Sequence, residues 1–373
     1  MRVFLATGEA SGDMLGAALA NAIRTLVPDV TFAGVGSERM AAAGVTLKAR
    51  TTGWGAMGPL EAARTIPTLL FTWLRLVASF RRSPWDVIVM IDFGAAHVRV
   101  AKMLRWIGYR GPIVYLLPPG VFLDLEGQAR AVARLAIPLT AFAHQRDFYR
   151  SLGLEIAYFG HPLGSLVEPR EPRPPAPPAG GVVAILPGSR RAELGHHLPV
   201  LFAAARMLRE RRPEVTFVVS AADAEAEKTI LRHLARDPLP DVRVVRGSRA
   251  ALDVADAAWI ASGTAVLEAA LREVPCAALY VVSPAQVAIG RRMYAGKYIT
   301  LPNILLDREI VTESLQEDAT PERLTDAVDA LLTDPAEQLR DLRAVRAELG
   351  EPDALQRCAA FAVAAARMAG GRA

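Results

Sequence analysis

Three short stretches carry residue types suited to chemistry, each where an apolar run gives way to glycine. The first is Val3-Phe4-Leu5-Ala6 followed by Gly8-Glu9-Ala10-Ser11-Gly12-Asp13. It reads as a buried strand, a tight turn and a helix from Met14 to Leu26. Gly8 and Gly12 let the backbone turn and approach a ligand closely. Ser11 and Asp13 suit the capping of that helix, whose free N–H groups would face an anion or a sugar. The second is Val182-Val183-Ala184-Ile185-Leu186 with Pro187-Gly188-Ser189-Arg190, and Glu193 just beyond. The guanidinium fork of Arg190 matches a phosphate; it equally matches the nearby Glu193, a pair of little consequence at a surface. The third is Trp259-Ile260-Ala261 with Ser262-Gly263-Thr264, and Glu268 one turn into the next helix. Its hydroxyls and N–H groups suit a diphosphate, and Glu268 suits the two hydroxyls of a ribose. Read alone, each stretch is also an ordinary strand-to-helix turn, and Glu268 an ordinary solvated residue.

These turns need a scaffold that brings strand ends together. Short apolar runs alternate with amphipathic helices throughout. Strands are expected near Val3–Ala6, Val30–Val35, Val87–Ile91, Ile113–Leu117, Ala141–Phe142 and Ile156–Phe159. A second set is expected near Val182–Leu186, Thr216–Ser220, Val242–Val245, Ala257–Ile260 and Cys276–Tyr280. Such a pattern argues for parallel sheets covered on both faces. Between the sets lies a proline-rich stretch with Pro169, Pro172, Pro174, Pro175, Pro177 and Pro178, a stiff connector. The expected organisation is a first domain over residues 1–167, a linker over 168–181, a second domain over 182–345 and a C-terminal helix over 346–373, with a crevice that suits a nucleotide-sugar. That helix would pack on the first domain or on a neighbouring copy, the latter in a homodimer. The fold class is α/β, with two doubly wound, Rossmann-like domains facing a cleft in the GT-B manner.

Composition narrows the partners. A chain of 373 residues that is 52% hydrophobic can bury the cores of two domains. Cys276 and Cys358 show neither metal-ligand nor redox spacing, which suggests a reducing compartment. The four-residue apolar start is too short for a signal peptide, and no run reaches the length of a spanning helix. A net charge of +4 fits an anionic partner, a nucleotide or a phospholipid surface. Without basic runs interleaved with aromatics, nucleic acid is disfavoured.

The motifs together resemble the lipid-A-disaccharide synthase family of GT-B glycosyltransferases. The resemblance rests on Gly8 to Asp13, Met57-Gly58 with Glu61, Ile91-Asp92, Gly160-His161-Pro162-Leu163, Leu186 to Arg190, Ser262 to Ala265 with Glu268, and Leu301-Pro302-Asn303. It implies a transferase that joins two acylated glucosamine units, one from a UDP-linked donor, and releases UDP. It implies that Asp92 is the general base and that Glu9 and Ser11 belong to the active-site loop with Gly12. Gly188, Ser189, Arg190, Ser262, Gly263, Thr264, Glu268 and Asn303 would then form the UDP side. A sugar hydroxyl needs a carboxylate to take its proton, and a departing diphosphate needs fixed donors. The chain holds no Asp-x-Asp pair, so neither a metal nor another cofactor is expected.

Departures from the family pattern fall in the first half. Ala95 stands where a second carboxylate is usual, Leu116 to Asp124 replaces a tryptophan-rich segment, and His144-Gln145 replaces an aromatic-Glu pair. They put acceptor identity in doubt more than donor use. His97, His144, His196 and His197 lack the spacing of a metal site. His161 either reaches the cleft or stabilises its own turn. The segment Ile66–Trp85 carries Leu69, Leu70, Phe71, Trp73, Leu74, Leu76, Val77 and Phe80 with Arg75, Arg81 and Arg82 between them. This is the pattern of a helix lying in a membrane interface, or of a buried one. On the first reading Met57, Leu70, Phe71 and Trp73 meet membrane or acceptor, and Arg291, Arg292 and Lys297 add attraction for anionic lipid. The expected partners are a UDP-sugar, a lipid-linked acceptor and the cytoplasmic face of the inner membrane, bound peripherally. A UDP-sugar transferase with another lipid acceptor, a UDP-sugar 2-epimerase and an inactive nucleotide-sugar-binding relative are the alternatives.

Overall fold

The computed structural model describes residues 1–51, 59–80, 85–120, 125–170, 180–284, 286–287 and 296–370. Met57 and Gly58, most of the proline-rich connector, Arg81, Arg82, Arg291 and Arg292 lie outside the described residues. Two compact units emerge, one of Met1–Leu166 with Leu349–Ala373, the other of Val167–Glu348.

The first unit is built on seven parallel strands: β1 (Arg2–Ala6), β2 (Thr31–Gly36), β3 (Thr46–Arg50), β4 (Val87–Ile91), β5 (Ile113–Leu116), β6 (Ile137–Thr140) and β7 (Ala157–Tyr158). Their order across the sheet is β3-β2-β1-β4-β5-β6-β7. β4 is buried at every position, as its sequence VIVMI demands of a strand covered on both faces. β3 is one of the two edge strands; its TLKAR alternates half-buried and exposed, so it carries no apolar run in the sequence. β6 begins four residues before the expected Ala141–Phe142 and carries Pro138 as its second residue.

The helix Ala354–Gly370 completes this unit. Cys358, Ala359, Ala362, Ala365 and Ala366 are buried in one core with Leu15, Leu19 and Ile23 of the helix Ala10–Leu26. Small side chains let the two helices approach closely. The returning chain enters at the Gly160-His161-Pro162-Leu163 turn. There the His161 N–H donates to the Leu349 carbonyl (2.7 Å), and a Cβ on Gly160 would lie 2.6 Å from that same oxygen. His161 itself is buried, and its Nδ1 accepts the Leu163 N–H (3.1 Å). Of the two roles open to it, the structure shows the turn-stabilising one.

The second unit repeats the plan with six parallel strands: β8 (Val182–Leu186), β9 (Thr216–Ala221), β10 (Val242–Arg246), β11 (Ala257–Ala261), β12 (Cys276–Tyr280) and β13 (Glu313–Leu315), in the order β10-β9-β8-β11-β12-β13. Trp259, fully buried in β11, donates its indole N–H to the Leu324 carbonyl (2.8 Å) and so ties the sheet to the helix Pro321–Thr333. β13, only three residues long, carried no strand signal.

In both sheets the strand order reverses once, between β1 and β4 and between β8 and β11. At such a point the connections leave on opposite faces and open a crevice at the carboxyl ends of the strands, where doubly wound sheets bind ligands.

Candidate functional sites at the two switch points

Chain geometry delivers the sequence motifs to these two points. β1 and β4 are neighbours, Ala6 lying opposite Met90. The loop Thr7-Gly8-Glu9 therefore sits beside the loop Asp92-Phe93, although more than 80 residues separate them in the chain. Glu9 is the N-cap residue of the helix Ala10–Leu26 and is half-buried, as is Ser11. Here the structure corrects the sequence reading. The helix begins at Ala10, so Ser11 and Asp13 lie inside it and cap nothing of their own. Asp13 instead accepts the N–H groups of Ser37 (2.5 Å) and Arg39 (3.0 Å), capping the neighbouring helix Glu38–Ala42. Gly12 packs on Thr7, 3.1 Å from the position a Cβ would take.

Asp92 is exposed at the mouth of this crevice. It occupies the left-handed region (φ 50°), as does Phe93 (φ 61°). Its N–H donates to the Leu116 carbonyl (2.9 Å). Its carbonyl oxygen accepts from His97 Nδ1 (2.7 Å) and from the Tyr115 hydroxyl (3.1 Å), two residues that sequence reasoning did not join to it. His97 was legible as a lone histidine; its partnership depends on the fold. Burial lowers its pKa to about 4, so the ring is neutral.

In the second sheet, Ile260 of β11 lies opposite Leu186 of β8. The Pro187-Gly188-Ser189-Arg190 turn is thus adjacent to Ser262-Gly263-Thr264. Gly188 adopts φ 109°, and a Cβ there would lie 2.6 Å from Glu193 Oε2. That carboxylate accepts the N–H groups of Ser189 and Arg190 (both 3.2 Å) and, through Oε1, the Arg190 guanidinium (2.7 Å). Glu193 is nearly buried and fixes the turn; Arg190 remains 24% exposed on its side chain, enough to reach a ligand. His197 clamps the turn from below: Nδ1 donates to the Pro187 carbonyl (2.8 Å) and Nε2 accepts the Val281 N–H (3.0 Å). Burial lowers its pKa, which favours this neutral form.

Gly263 is exposed with open space around its Cα, and Ser262 and Thr264 are half-buried beside it. Glu268 accepts a hydrogen bond from the Ser248 hydroxyl. Ser248 opens a short helix after β10 and carried no signal in the sequence. Asn303 stands apart. It is fully buried, with Nδ2 donating to Val311 O and Glu313 Oε1 and Oδ1 accepting from Ile310 and Val311 N–H, all at 2.8 Å. Its amide is saturated by the 299–313 segment.

The helix Pro59–Phe80 divides its apolar residues between two faces. Trp73, Val77 and Phe80 are in the core, whereas Leu70, Phe71 and Leu74 are exposed. Trp73 is therefore corrected from an interface residue to a core residue. Positions 73, 77 and 80 fall on one helical stripe; Phe71 and Leu74 lie well off it, and Leu70 sits at its edge, one helical turn before Trp73. Gln145, one of the departures, is buried and donates to the carbonyls of Pro118 (3.1 Å) and Pro119 (3.3 Å), another departure. Among the described residues, no helix is long and apolar enough to cross a membrane, and no group of three or more His, Cys, Asp or Glu is placed to hold a metal.

Two doubly wound domains, each with glycine turns at its switch point, define a GT-B-like α/β protein, and comparison with solved structures agrees. A UDP-GlcNAc 2-epimerase from Neisseria meningitidis bound to UDP-GlcNAc superposes with a TM-score of 0.62 at 11% identity, over 97% of this chain and 100% of that one. A spinosyn rhamnosyltransferase complexed with thymidine diphosphate gives 0.61 at 14%, over 96% and 99%. At such identities the likeness is one of fold. Sequence comparison goes further. The family model for lipid-A-disaccharide synthetase matches residues 3–363. Lipid-A-disaccharide synthases of Koribacter versatilis and Geobacter metallireducens are 35% and 31% identical, covering 94% and 96% of this chain and 93% and 95% of theirs. The chain belongs to the lipid-A-disaccharide synthetase family and is an enzyme of the glycosyltransferase class.

Proposed function

We propose that this chain transfers an acylated glucosamine unit from UDP-2,3-diacylglucosamine to 2,3-diacylglucosamine 1-phosphate, with inversion, forming the lipid A disaccharide and UDP. The observation that carries the reading is the pairing of motifs at each switch point: Glu9, Ser11 and Asp92 in one domain, Arg190 and Ser262–Thr264 in the other. In the proposed step an acceptor hydroxyl oxygen attacks C1 of the donor sugar. Asp92 takes the hydroxyl proton as the new bond forms. The bond from C1 to the UDP oxygen breaks, and its electron pair leaves on the diphosphate. Arg190 and the N–H groups at the start of the helix Thr264–Leu271 meet that charge. Glu268, oriented by Ser248, holds the ribose. Asn303 contributes indirectly, by shaping the 299–313 segment.

Both substrates are lipids, and the exposed Leu70, Phe71 and Leu74 with Arg75 beside them offer a surface for the membrane that carries them. The test is incubation of the purified protein with the two lipids, reading disaccharide and UDP together. UDP release that requires a different lipid acceptor would favour the second transferase reading. Family membership speaks against the epimerase, despite the shared fold.

A further inference from the structure

Asp92 and Phe93 are two consecutive residues in the left-handed region, and neither is glycine. L side chains adopt that region reluctantly, so something must hold both there. Phe93 lies against the neighbouring loop, where a Cβ on Gly8 would fall 2.1 Å from its ring. The Ala96 N–H closes a turn onto the Phe93 carbonyl (3.2 Å). Beside the Asp92 N–H bond to the Leu116 carbonyl, further restraint comes from two buried side chains that converge on one atom.

His97 is fully buried, ringed by Trp73, Phe93 and Tyr115 with centroids 6.1, 5.4 and 5.9 Å away. Its Nδ1 faces the Asp92 carbonyl oxygen, so the proton sits on Nδ1 and is donated there. Tyr115, only 1% exposed, brings its hydroxyl to the same oxygen and to the Gly94 carbonyl (2.8 Å). Neither side chain can reach solvent or a substrate. Their polar groups act on the backbone from which the Asp92 carboxylate projects.

We infer that His97 and Tyr115 are positioning residues for Asp92: their N–H and O–H groups lock the left-handed Asp92-Phe93 turn and so set where the carboxylate meets the acceptor hydroxyl. The inference rests on the base role proposed above. A proton-accepting group displaced by about an ångström loses on the order of 10²-fold in rate, so loosening this lock should act on turnover and leave UDP affinity alone.

Tyr115→Phe deletes one hydroxyl at constant shape, His97→Leu removes the donor, and His97→Gln retains an N–H donor. The expected result is a kcat lower by roughly 10–100-fold in Tyr115→Phe and His97→Leu. His97→Gln should be partly rescued, and the Kd for UDP should stay within about twofold throughout. In an Asp92→Asn background, Tyr115→Phe should change kcat no further, because no base remains to be placed. Should Tyr115→Phe and His97→Leu turn over normally while Asp92→Asn is inactive, the inference falls and the base reading stands. Equal losses with and without Asp92 would mean that the pair only supports the fold, which also overturns it. Normal turnover in Asp92→Asn would remove the base role and this inference together. Where His97→Leu fails to fold, Tyr115→Phe decides.

Discussion

Acidification should weaken this protein well above the range in which carboxylates titrate, because its buried histidines must stay neutral. His97 and His161 are both enclosed, and burial lowers each pKa from 6.5 to about 4. Between those values the unfolded chain holds protons that the folded chain refuses. Stability therefore falls as pH drops from about 6.5 toward 4 and is flat above. At 1.36 kcal/mol per pH unit, each group withdraws up to roughly 3 kcal/mol across that window. His197, lowered in the same direction, adds to the effect in the second domain. The assay is urea unfolding at pH 7.5, 6.0 and 5.0, with backbone amide exchange to report each domain separately. The first domain should lose several kcal/mol between pH 7.5 and 5.0. His161→Asn, whose side-chain oxygen can still accept the Leu163 N–H, should flatten the slope by about half whatever it does to stability at pH 7.5. A first domain equally stable at pH 7.5 and 5.0, or an unchanged slope in His161→Asn, would refute the reasoning.

Three further outcomes concern the second domain and the long helix. Arg190→Ala should raise the Kd for UDP in calorimetry by roughly 10–150-fold, the worth of one charge-assisted hydrogen-bonded contact of about 1.5–3 kcal/mol. Equal affinity would remove Arg190 from the site, since Glu193 keeps both turn N–H groups and the turn should survive. Replacing Leu70, Phe71 and Leu74, which are 49–61% exposed, with serine should abolish sedimentation with anionic vesicles while leaving the urea midpoint within experimental spread. Trp73→Ser, at a position 1% exposed, should instead lower the midpoint, by an amount that corresponds to a loss of about 3 kcal/mol or more of unfolding free energy. Vesicle binding that survives the triple change would move the membrane surface elsewhere.

The turns were legible because strand, glycine and helix N-terminus are consecutive in the chain; Gly8 to Ser11, Gly188 to Arg190 and Ser262 to Thr264 needed only local reading. The partners of those residues were not, because sheet order brings them together. Tyr115 reaches Asp92 only because β5 lies beside β4, and Ser248 reaches Glu268 because the helices that follow β10 and β11 pack against each other. Trp73 was misplaced for a different reason. Apolar residues around most of a helix leave no polar stripe to mark the outer face, so buried Trp73, Val77 and Phe80 could not be told from exposed Leu70, Phe71 and Leu74, which adjoin them on the helix surface. Asp13 was read as a cap for its own helix because local spacing says so, whereas its carboxylate serves a helix two dozen residues on. Of the two readings of the Pro187 turn, the structure shows the ion pair, and the phosphate role of Arg190 belongs to the proposal. Arg190 does pair with Glu193, and the pair is what presents the guanidinium at a fixed place.

Asp92 is the hinge of the whole account, and a single-turnover measurement tests it most directly. With UDP-2,3-diacylglucosamine and 2,3-diacylglucosamine 1-phosphate presented in mixed micelles, the native chain should yield disaccharide and UDP in equal amounts. Asp92→Asn should bind UDP as tightly and form disaccharide roughly 10²–10⁴-fold more slowly. Disaccharide formed at the native rate by Asp92→Asn, or no disaccharide from the native chain, would contradict the account.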